Sequence, residues 1–123
     1  MAKVTAGKPT RQQVERFDML DPMLQSFLSE VRELSKKKPD GPLNEVKIKM
    51  INRILVQIKE VLSTDESVEY LDLLDEETLA QNSDAVLILG QYGAAMHQFK
   101  EKHYRRNSTT HTYHWFTQEK EPS

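Results

Sequence analysis

Apolar side chains recur along most of this chain with the spacing of one face of an α-helix. The pattern predicts a short helix after residue 10, a second from residue 22 to about 36, a third over 43–62 and a last from 82 to about 106. The third segment has the widest apolar face, and Ile48, Ile51 and Leu55 follow the helical spacing within it. We therefore expect it to be the central helix of the fold.

Capping signals mark where these helices begin. Thr10 precedes the first apolar stripe, and Asp21–Pro22 has the order of an N-cap followed by a proline at the first helical position. Ser63 and Glu66 have the spacing of a capping box, so residues 64–81 hold either one further helix or two. The fold predicted from these signals is all-α, a four- to five-helix bundle.

The helical pattern stops after Asn107, and the residues that follow include the only Trp of the chain. The aromatic hexamer His111–Phe116 has a β-prone composition, but no partner strand is recognisable elsewhere. We therefore predict a flexible lead over residues 1–9, a single helical-bundle domain over 10–106 and a non-helical aromatic C-terminal tail over 107–123. The tail either folds back on its own bundle or docks on another chain.

The composition excludes several classes of site. The 123 residues include no cysteine, which rules out disulfides, zinc–thiolate sites, iron–sulfur clusters and a cysteine nucleophile. The longest apolar run, Ala85–Leu89, is far shorter than the roughly 20 residues that a membrane-spanning helix needs. The N-terminus has no apolar stretch of the kind found in signal peptides. A cytoplasmic protein without a membrane partner is expected.

Charged residues are unevenly distributed along the chain. The net charge is only −2, but residues 63–84 contain eight acidic residues and no Lys or Arg, so the rest of the chain carries +6. An acidic surface suits a basic partner, and aromatic side chains are common anchors of protein interfaces. The predicted partner-binding residues are Asp72, Asp75, Glu76, Tyr113, Trp115 and Phe116.

No group of side chains indicates catalysis. The acids do not follow the calcium-loop pattern, no nucleophile–base motif is present, and the four histidines lack the spacing of a metal site. We therefore predict neither a metal nor a cofactor, and an enzyme is the less favoured interpretation. Gly90, Gly93 and His97 share a second face of the last helix, where close packing of another helix is favoured over a ligand cleft.

The leading hypothesis for function is a non-enzymatic protein–protein interaction module, a small regulatory or accessory subunit that self-associates. The alternative is nucleic-acid binding, because a cluster of basic residues ends the last helix just before the aromatic tail. This cluster consists of Lys100, Lys102, Arg105 and Arg106. A small-molecule pocket beside the two glycines of the last helix is a third hypothesis.

Overall fold

The computed structural model describes residues 7–119, so residues 1–6 of the predicted lead and 120–123 of the predicted tail lie outside the described residues. The elements in chain order are α1 (Arg11–Lys37), α2 (Glu45–Val61), a 3₁₀ helix (Glu66–Tyr70), α3 (Asn82–His103), β1 (Tyr104–Arg106) and β2 (Tyr113–Trp115). The prediction of an all-α bundle with four to five helices is wrong. The described part of the chain is mostly helical, but it combines three α-helices with a two-stranded antiparallel hairpin.

A single helix, α1, replaces the two helices predicted at the start of the chain. Its beginning is as expected: the Thr10 hydroxyl accepts from the Gln13 backbone at 3.1 Å, and the Gln13 side chain accepts from the Thr10 backbone at 2.8 Å. The helix then continues through Pro22, so the prediction of a new N-cap at Asp21 is wrong. Pro22 lies on the exposed side of α1. Proline has no backbone N–H, so a carbonyl of the preceding turn lacks its helical donor, and water can reach that carbonyl on the exposed side. The buried stripe continues on both sides of this proline through Phe17, Leu20, Leu24 and Leu28.

The core forms mainly between α1 and the other two helices. Both α2 and α3 pack against α1, so α1 occupies the central position that the sequence assigned to residues 43–62. From α2 the largest fully buried side chains are Ile48, Ile51, Leu55 and Ile58, and from α3 they are Leu89, Tyr92, Met96 and Phe99. Each such side chain stabilises the fold by about 1.5–3 kcal/mol relative to exposure.

The segment between α2 and α3 contains no α-helix. The predicted capping box at Ser63 does not form, and the Asp65 carboxylate instead accepts from the Ser67 backbone at 3.0 Å at the start of the 3₁₀ helix. After Tyr70 the backbone has no regular secondary structure up to α3. We call residues 65–77, which carry most of the acids of this segment, the acidic strap.

Side chains of the helices hold the acidic strap in place. Asn52 donates to the Leu74 carbonyl and accepts from the Leu74 backbone N–H, both at 2.9 Å. Lys59 donates to the carbonyl of Leu71, and the Tyr92 hydroxyl donates to the carbonyl of Asp72, again at 2.9 Å. These bonds satisfy backbone groups that a helix would have paired internally.

The last helix ends at His103, three residues earlier than predicted. Residues Tyr104–Arg106 form a strand that pairs with Tyr113–Trp115, with Tyr104 opposite Trp115 and Arg106 opposite Tyr113. The expectation that the aromatic segment has no partner strand is therefore wrong. The pairing extends beyond the strands, because the Phe116 backbone donates to the His103 carbonyl at 2.7 Å.

The hairpin folds back on the helices through Trp115. The indole lies edge-on to Phe17 of α1, with ring centroids 5.2 Å apart, and 6.2 Å from the ring of Phe99 of α3. Beyond the hairpin, the Gln118 backbone donates to the Pro9 carbonyl at 2.9 Å, so this part of the tail also contacts the residues before α1. The sequence left open whether the tail folds back on its own helices or docks on another chain. The described residues of the tail fold back on their own helices.

Candidate functional site

An apolar groove of about 320 Å³ lies between α1 and α2. Methionines dominate its exposed lining: Met19 and Met23 on α1 are 50% and 42% exposed, and Met50 on α2 is 49% exposed. Leu20 and Ile54 form its floor, being far more buried than the methionines. Because methionine is flexible and polarizable, clusters of exposed methionines suit binding surfaces that adapt to a partner. We call this feature the methionine groove.

Two ion pairs join α1 to α2 outside the residues that line the methionine groove. Arg16 pairs with Glu60 at 2.9 Å, and Lys47 pairs with Glu30. Surface ion pairs of this kind add little stability. Along both helices, the three methionines lie between the residues that form these pairs.

The two walls of the methionine groove carry opposite charges. On α1, Glu15 is exposed and precedes Met19 by one helical turn, which places both on the same face. On α2, Arg53 lines the groove. Within residues 7–119, neither Glu15 nor Arg53 forms an ion pair. Glu15 lies beside the residues that line the groove rather than among them. We call the α1 side, next to Glu15, the acidic wall, and the α2 side, which contains Arg53, the basic wall.

The predicted basic cluster lies where α3 passes into the hairpin, and its two lysines have different partners. Lys102 forms an ion pair with Asp65 of the acidic strap at 3.1 Å. Lys100 lies over the Tyr104 ring, with its ammonium 5.0 Å from the centroid. Lys102 is thus partly neutralised, whereas Lys100 contacts an aromatic face.

The two arginines of the cluster lie on the hairpin itself. The Arg105 guanidinium lies 4.9 Å from the centroid of Phe116. Nη2 of Arg106 is 2.9 Å from Nδ1 of His111. Neither guanidinium lies within ion-pair distance of a carboxylate in the part of the chain that the structure describes. Both charges therefore remain available to an anion.

The ion pair between Lys102 and Asp65 makes the stability of the fold sensitive to acid. Burial raises the pKa of the Asp65 carboxyl, but hydrogen bonds from Ser67 and the ion pair with Lys102 outweigh it, so the pKa lies below its ordinary value of 3.8. A carboxyl with a lowered folded-state pKa stabilises the fold fully above its unfolded pKa, and the contribution is lost as the pH falls through the folded-state pKa.

We therefore expect the melting temperature of the wild type to fall more steeply than that of the Asp65→Asn variant between about pH 5 and pH 2. This interval includes the ordinary pKa of 3.8 and the values below it. Thermal unfolding followed by circular dichroism measures both profiles. Asp18→Asn, which removes an exposed acid of α1, is the control and should retain the wild-type slope. Parallel profiles for wild type and Asp65→Asn would contradict the assignment.

The three aromatic residues predicted to bind a partner have different environments. Tyr113 is 62% exposed and stacks on Tyr104 with ring centroids 6.0 Å apart. Phe116 is half-buried and stacks on His114 at 4.7 Å. Trp115 packs inward against the helices. Of the three, Tyr113 exposes the largest part of its ring to solvent.

The three predicted acidic residues also differ in their contacts. Asp72 is exposed. The Asp75 carboxylate accepts from the backbone N–H groups of Glu77 at 2.9 Å and Thr78 at 3.1 Å, so it caps a turn. These bonds lower its pKa. The Glu76 carboxylate accepts from the Asn52 side chain at 3.1 Å. Within residues 7–119, Asp72 is therefore the one of the three acids whose carboxylate accepts no hydrogen bond.

No other described helix packs closely against the glycines of α3. Within residues 7–119, a Cβ at Gly90 would meet no atom within 4 Å, and one at Gly93 would have its nearest neighbour, Cδ2 of Leu28, at an ordinary 3.9 Å. His97 is exposed and lies 3.6 Å from Glu101. The close packing that the sequence favoured at these glycines is therefore wrong.

Two further classes of site are absent from the described residues. Within residues 7–119, no group of three or more His, Asp or Glu side chains is placed to hold a metal ion. None of the described helices has the length and apolar character needed to cross a membrane.

The comparisons with known proteins provide no relative for this chain. No protein-family model matches it, and neither a curated protein nor a solved structure is significantly similar to it. Its function must therefore be argued from its own surfaces.

Sequence reasoning missed the methionine groove. Helical spacing groups Met23 and Met50 with the apolar faces of their helices, but both side chains are largely exposed at the edge of those faces. The sequence does contain a signal, because Met19 and Met23 are four residues apart and so share one face of a helix, each directly before a leucine of the buried stripe. Methionines at the edge of a helical stripe, rather than at its centre, indicate an adaptable surface.

Proposed function

We propose that this protein is a non-enzymatic interaction module that self-associates through the methionine groove, with a second copy of the chain as its partner. The observation that carries the proposal is an exposed apolar centre, formed by Met19, Met23 and Met50, between walls of opposite charge. A regulatory or accessory subunit is the role that fits such a module.

The apolar centre supports protein binding rather than catalysis. Helix pairs commonly bind an apolar surface in the groove between them, and methionine side chains adjust to the shape of what they contact. Contiguous exposed apolar surface is uncommon on monomers and marks interaction sites. The groove also contains no titratable pair that could act as acid and base, because Arg53 is the charged residue that lines it.

The charges of the walls favour a second copy as the occupant. A two-fold axis through the groove turns the acidic wall of one copy toward the basic wall of the other, and it makes this contact twice. Glu15 of each protomer then faces Arg53 of its partner across the three methionines. Opposite charges at the edge of an interface set its orientation and exclude other pairings.

The tail residues do not carry this proposal. Trp115 already packs against Phe17 and Phe99, so using it as an anchor would require the hairpin to leave the helices. Asp72 and Tyr113 remain exposed and stay secondary candidates for contact with a different, basic partner.

Reversing one charge on each wall tests the proposal. We expect Glu15→Arg and Arg53→Glu each to weaken self-association at least about tenfold, because each variant places like charges opposite one another twice. An equimolar mixture of the two variants should dimerise as wild type does, since both contacts are then between opposite charges. Sedimentation velocity on each variant and on the mixture measures this.

A second pair of variants tests the apolar centre. Met23→Ser should weaken self-association at least about tenfold, whereas Leu87→Ser, which removes an exposed apolar side chain of α3, should leave it unchanged. A wild-type protein that sediments as a monomer at roughly 100 µM, where even weak transient dimers form, would contradict the proposal. So would two charge variants that stay monomeric when mixed.

A further inference from the structure

The tip of the hairpin forms a second recess, of about 310 Å³, on a different part of the molecule from the methionine groove. Two arginines, two residues with hydroxyl groups and one phenylalanine line it together with Asn107. Because the arginines are adjacent in β1, their side chains leave the strand on opposite faces, Arg105 on the face of Phe116 and Arg106 on that of Tyr113. The lining residues are Arg105, Arg106, Asn107, Ser108, Thr109 and Phe116. This combination of donors is typical of sites for phosphate groups.

The loop at the tip is held in one conformation by Asn107. Its side-chain oxygen accepts from the backbone N–H groups of Thr109 at 2.8 Å and Thr110 at 3.0 Å. Its own backbone N–H donates to the Thr112 carbonyl, and its carbonyl accepts from His111, both at 2.8 Å. His111 adopts a left-handed conformation with φ of 61°, which closes the loop. Ser108 and Thr109 are therefore held at the recess before any ligand arrives.

The guanidinium groups are positioned but not neutralised. Arg105 is held over the Phe116 ring and Arg106 beside His111, and neither has a carboxylate partner within residues 7–119. Burial lowers the pKa of the nearby His103, and the positive charges of Lys102 and Arg105 lower it further against the opposing charge of Asp65. Two arginines already fixed in place lose little conformational freedom when they bind an oxyanion.

An exposed aromatic ring lies next to the recess. Tyr113 is the cross-strand neighbour of Arg106, and it is supported from behind by Tyr104. Side chains of such a pair are about 5 Å apart at their Cβ atoms. The ammonium of Lys100, 5.0 Å from the centroid of Tyr104, adds a further positive charge near these rings.

We propose that this surface binds single-stranded nucleic acid, with one backbone phosphate at Arg105 in the recess, a second phosphate at Arg106, and an unpaired base stacked on Tyr113. Phosphate contacts combined with base–aromatic stacking are how proteins hold single strands without reading their sequence. The inference goes beyond the proposed self-association and does not depend on it, since none of its residues lines the methionine groove.

Binding of a fluorescein-labelled oligothymidine of about 12 nucleotides to the full chain, measured by anisotropy at about 50 mM salt, tests the proposal. We expect the double variant Arg105→Gln/Arg106→Gln to bind at least about tenfold more weakly than wild type. Its slope of log Kd against log salt should be smaller by about 1.4, since each lost phosphate contact on a single strand contributes about 0.7. Arg32→Gln, which removes an exposed charge of α1, is the control and should bind within about twofold of wild type.

Two further arms distinguish nucleic acid from a small phosphate. Tyr113→Ala should weaken oligonucleotide binding about tenfold, and inorganic phosphate should compete only at a large excess over the oligonucleotide. Equal loss of binding in the Arg32→Gln and double-arginine variants would overturn the proposal, and so would absence of binding at low salt. An unchanged affinity of Tyr113→Ala, with efficient competition by inorganic phosphate, would overturn the assignment to nucleic acid.

Discussion

Replacing Asn52 with alanine is expected to lower the free energy of unfolding by about 3 kcal/mol. The Asn52 side chain is buried and forms two hydrogen bonds of 2.9 Å with the backbone of Leu74, which is also buried. Alanine leaves both backbone groups without a partner in a place that water does not reach. Each unpaired buried group costs about 1–3 kcal/mol, which makes this one of the largest effects available from a single substitution.

Chemical denaturation of Asn52→Ala beside Gln91→Ala, an exposed residue of α3, measures this difference. The control should remain within about 0.5 kcal/mol of wild type, as most surface substitutions do. Asn52→Asp separates hydrogen bonding from packing, because it keeps the shape, loses the donor and places a carboxylate beside Glu76. Its destabilisation should decrease as the pH falls and the new carboxyl takes up a proton. Wild-type stability in Asn52→Ala would show that the acidic strap does not depend on this residue.

Trp115→Ala is expected to destabilise the protein by about 3 kcal/mol, the lower end of the range for large aromatic side chains because the indole is half-buried. Its ring contacts Phe17, Phe99 and Tyr104, so its removal opens a cavity where α1, α3 and the hairpin meet. For a chain of this size, this corresponds to a decrease in melting temperature of roughly 12 °C.

Tyr113→Ala is the matched control for Trp115→Ala, because it removes a neighbouring aromatic ring from the same strand. Its ring stacks on Tyr104 but is mostly exposed, so the expected loss is below about 1 kcal/mol. Differential scanning calorimetry gives both values. Equal destabilisation by the two variants would mean that the hairpin is not anchored through its indole.

The helices were predictable where apolar spacing and capping agreed. The stripes of α2 and α3 and the cap at Thr10 all lie within single segments, so local sequence determines them. Pro22 shows where this reasoning fails. A proline after an acidic residue indicates a helix start, but a proline on the exposed face of a long, well-packed helix is tolerated, because tertiary packing outweighs its local cost.

The acidic strap and the hairpin depend on contacts between residues far apart in the chain. Val68, Leu71 and Leu74 have helical spacing, yet the strap has no regular helix after Tyr70, where Asn52 and Tyr92 bind its backbone. The residues of the strand Tyr104–Arg106 continue the helical sequence pattern of α3. Only pairing with Tyr113–Trp115 distinguishes this strand from a further helical turn. Periodicity within one segment does not contain that information.

A candidate site could be predicted when its residues are close together in the sequence, and could not when packing brings them together. The basic cluster and the aromatic residues are neighbours in sequence, and the hairpin does bring Arg105 close to Phe116. The methionine groove required knowing that α1 and α2 lie side by side, which the sequence does not state. Trp115 could be recognised as an anchor but not assigned to its own helices, since an indole is equally suited to a core and to an interface.

The position of Trp115 also has a consequence for how the protein is made. During synthesis α1 and α3 emerge from the ribosome before the residue that covers Phe17 and Phe99, because Trp115 follows both helices in the chain. A nascent chain that lacks Trp115 therefore displays an aromatic surface that the folded hairpin conceals. Chaperones and proteases recognise exposed surfaces of this kind, so formation of the hairpin is the step that withdraws this surface from them.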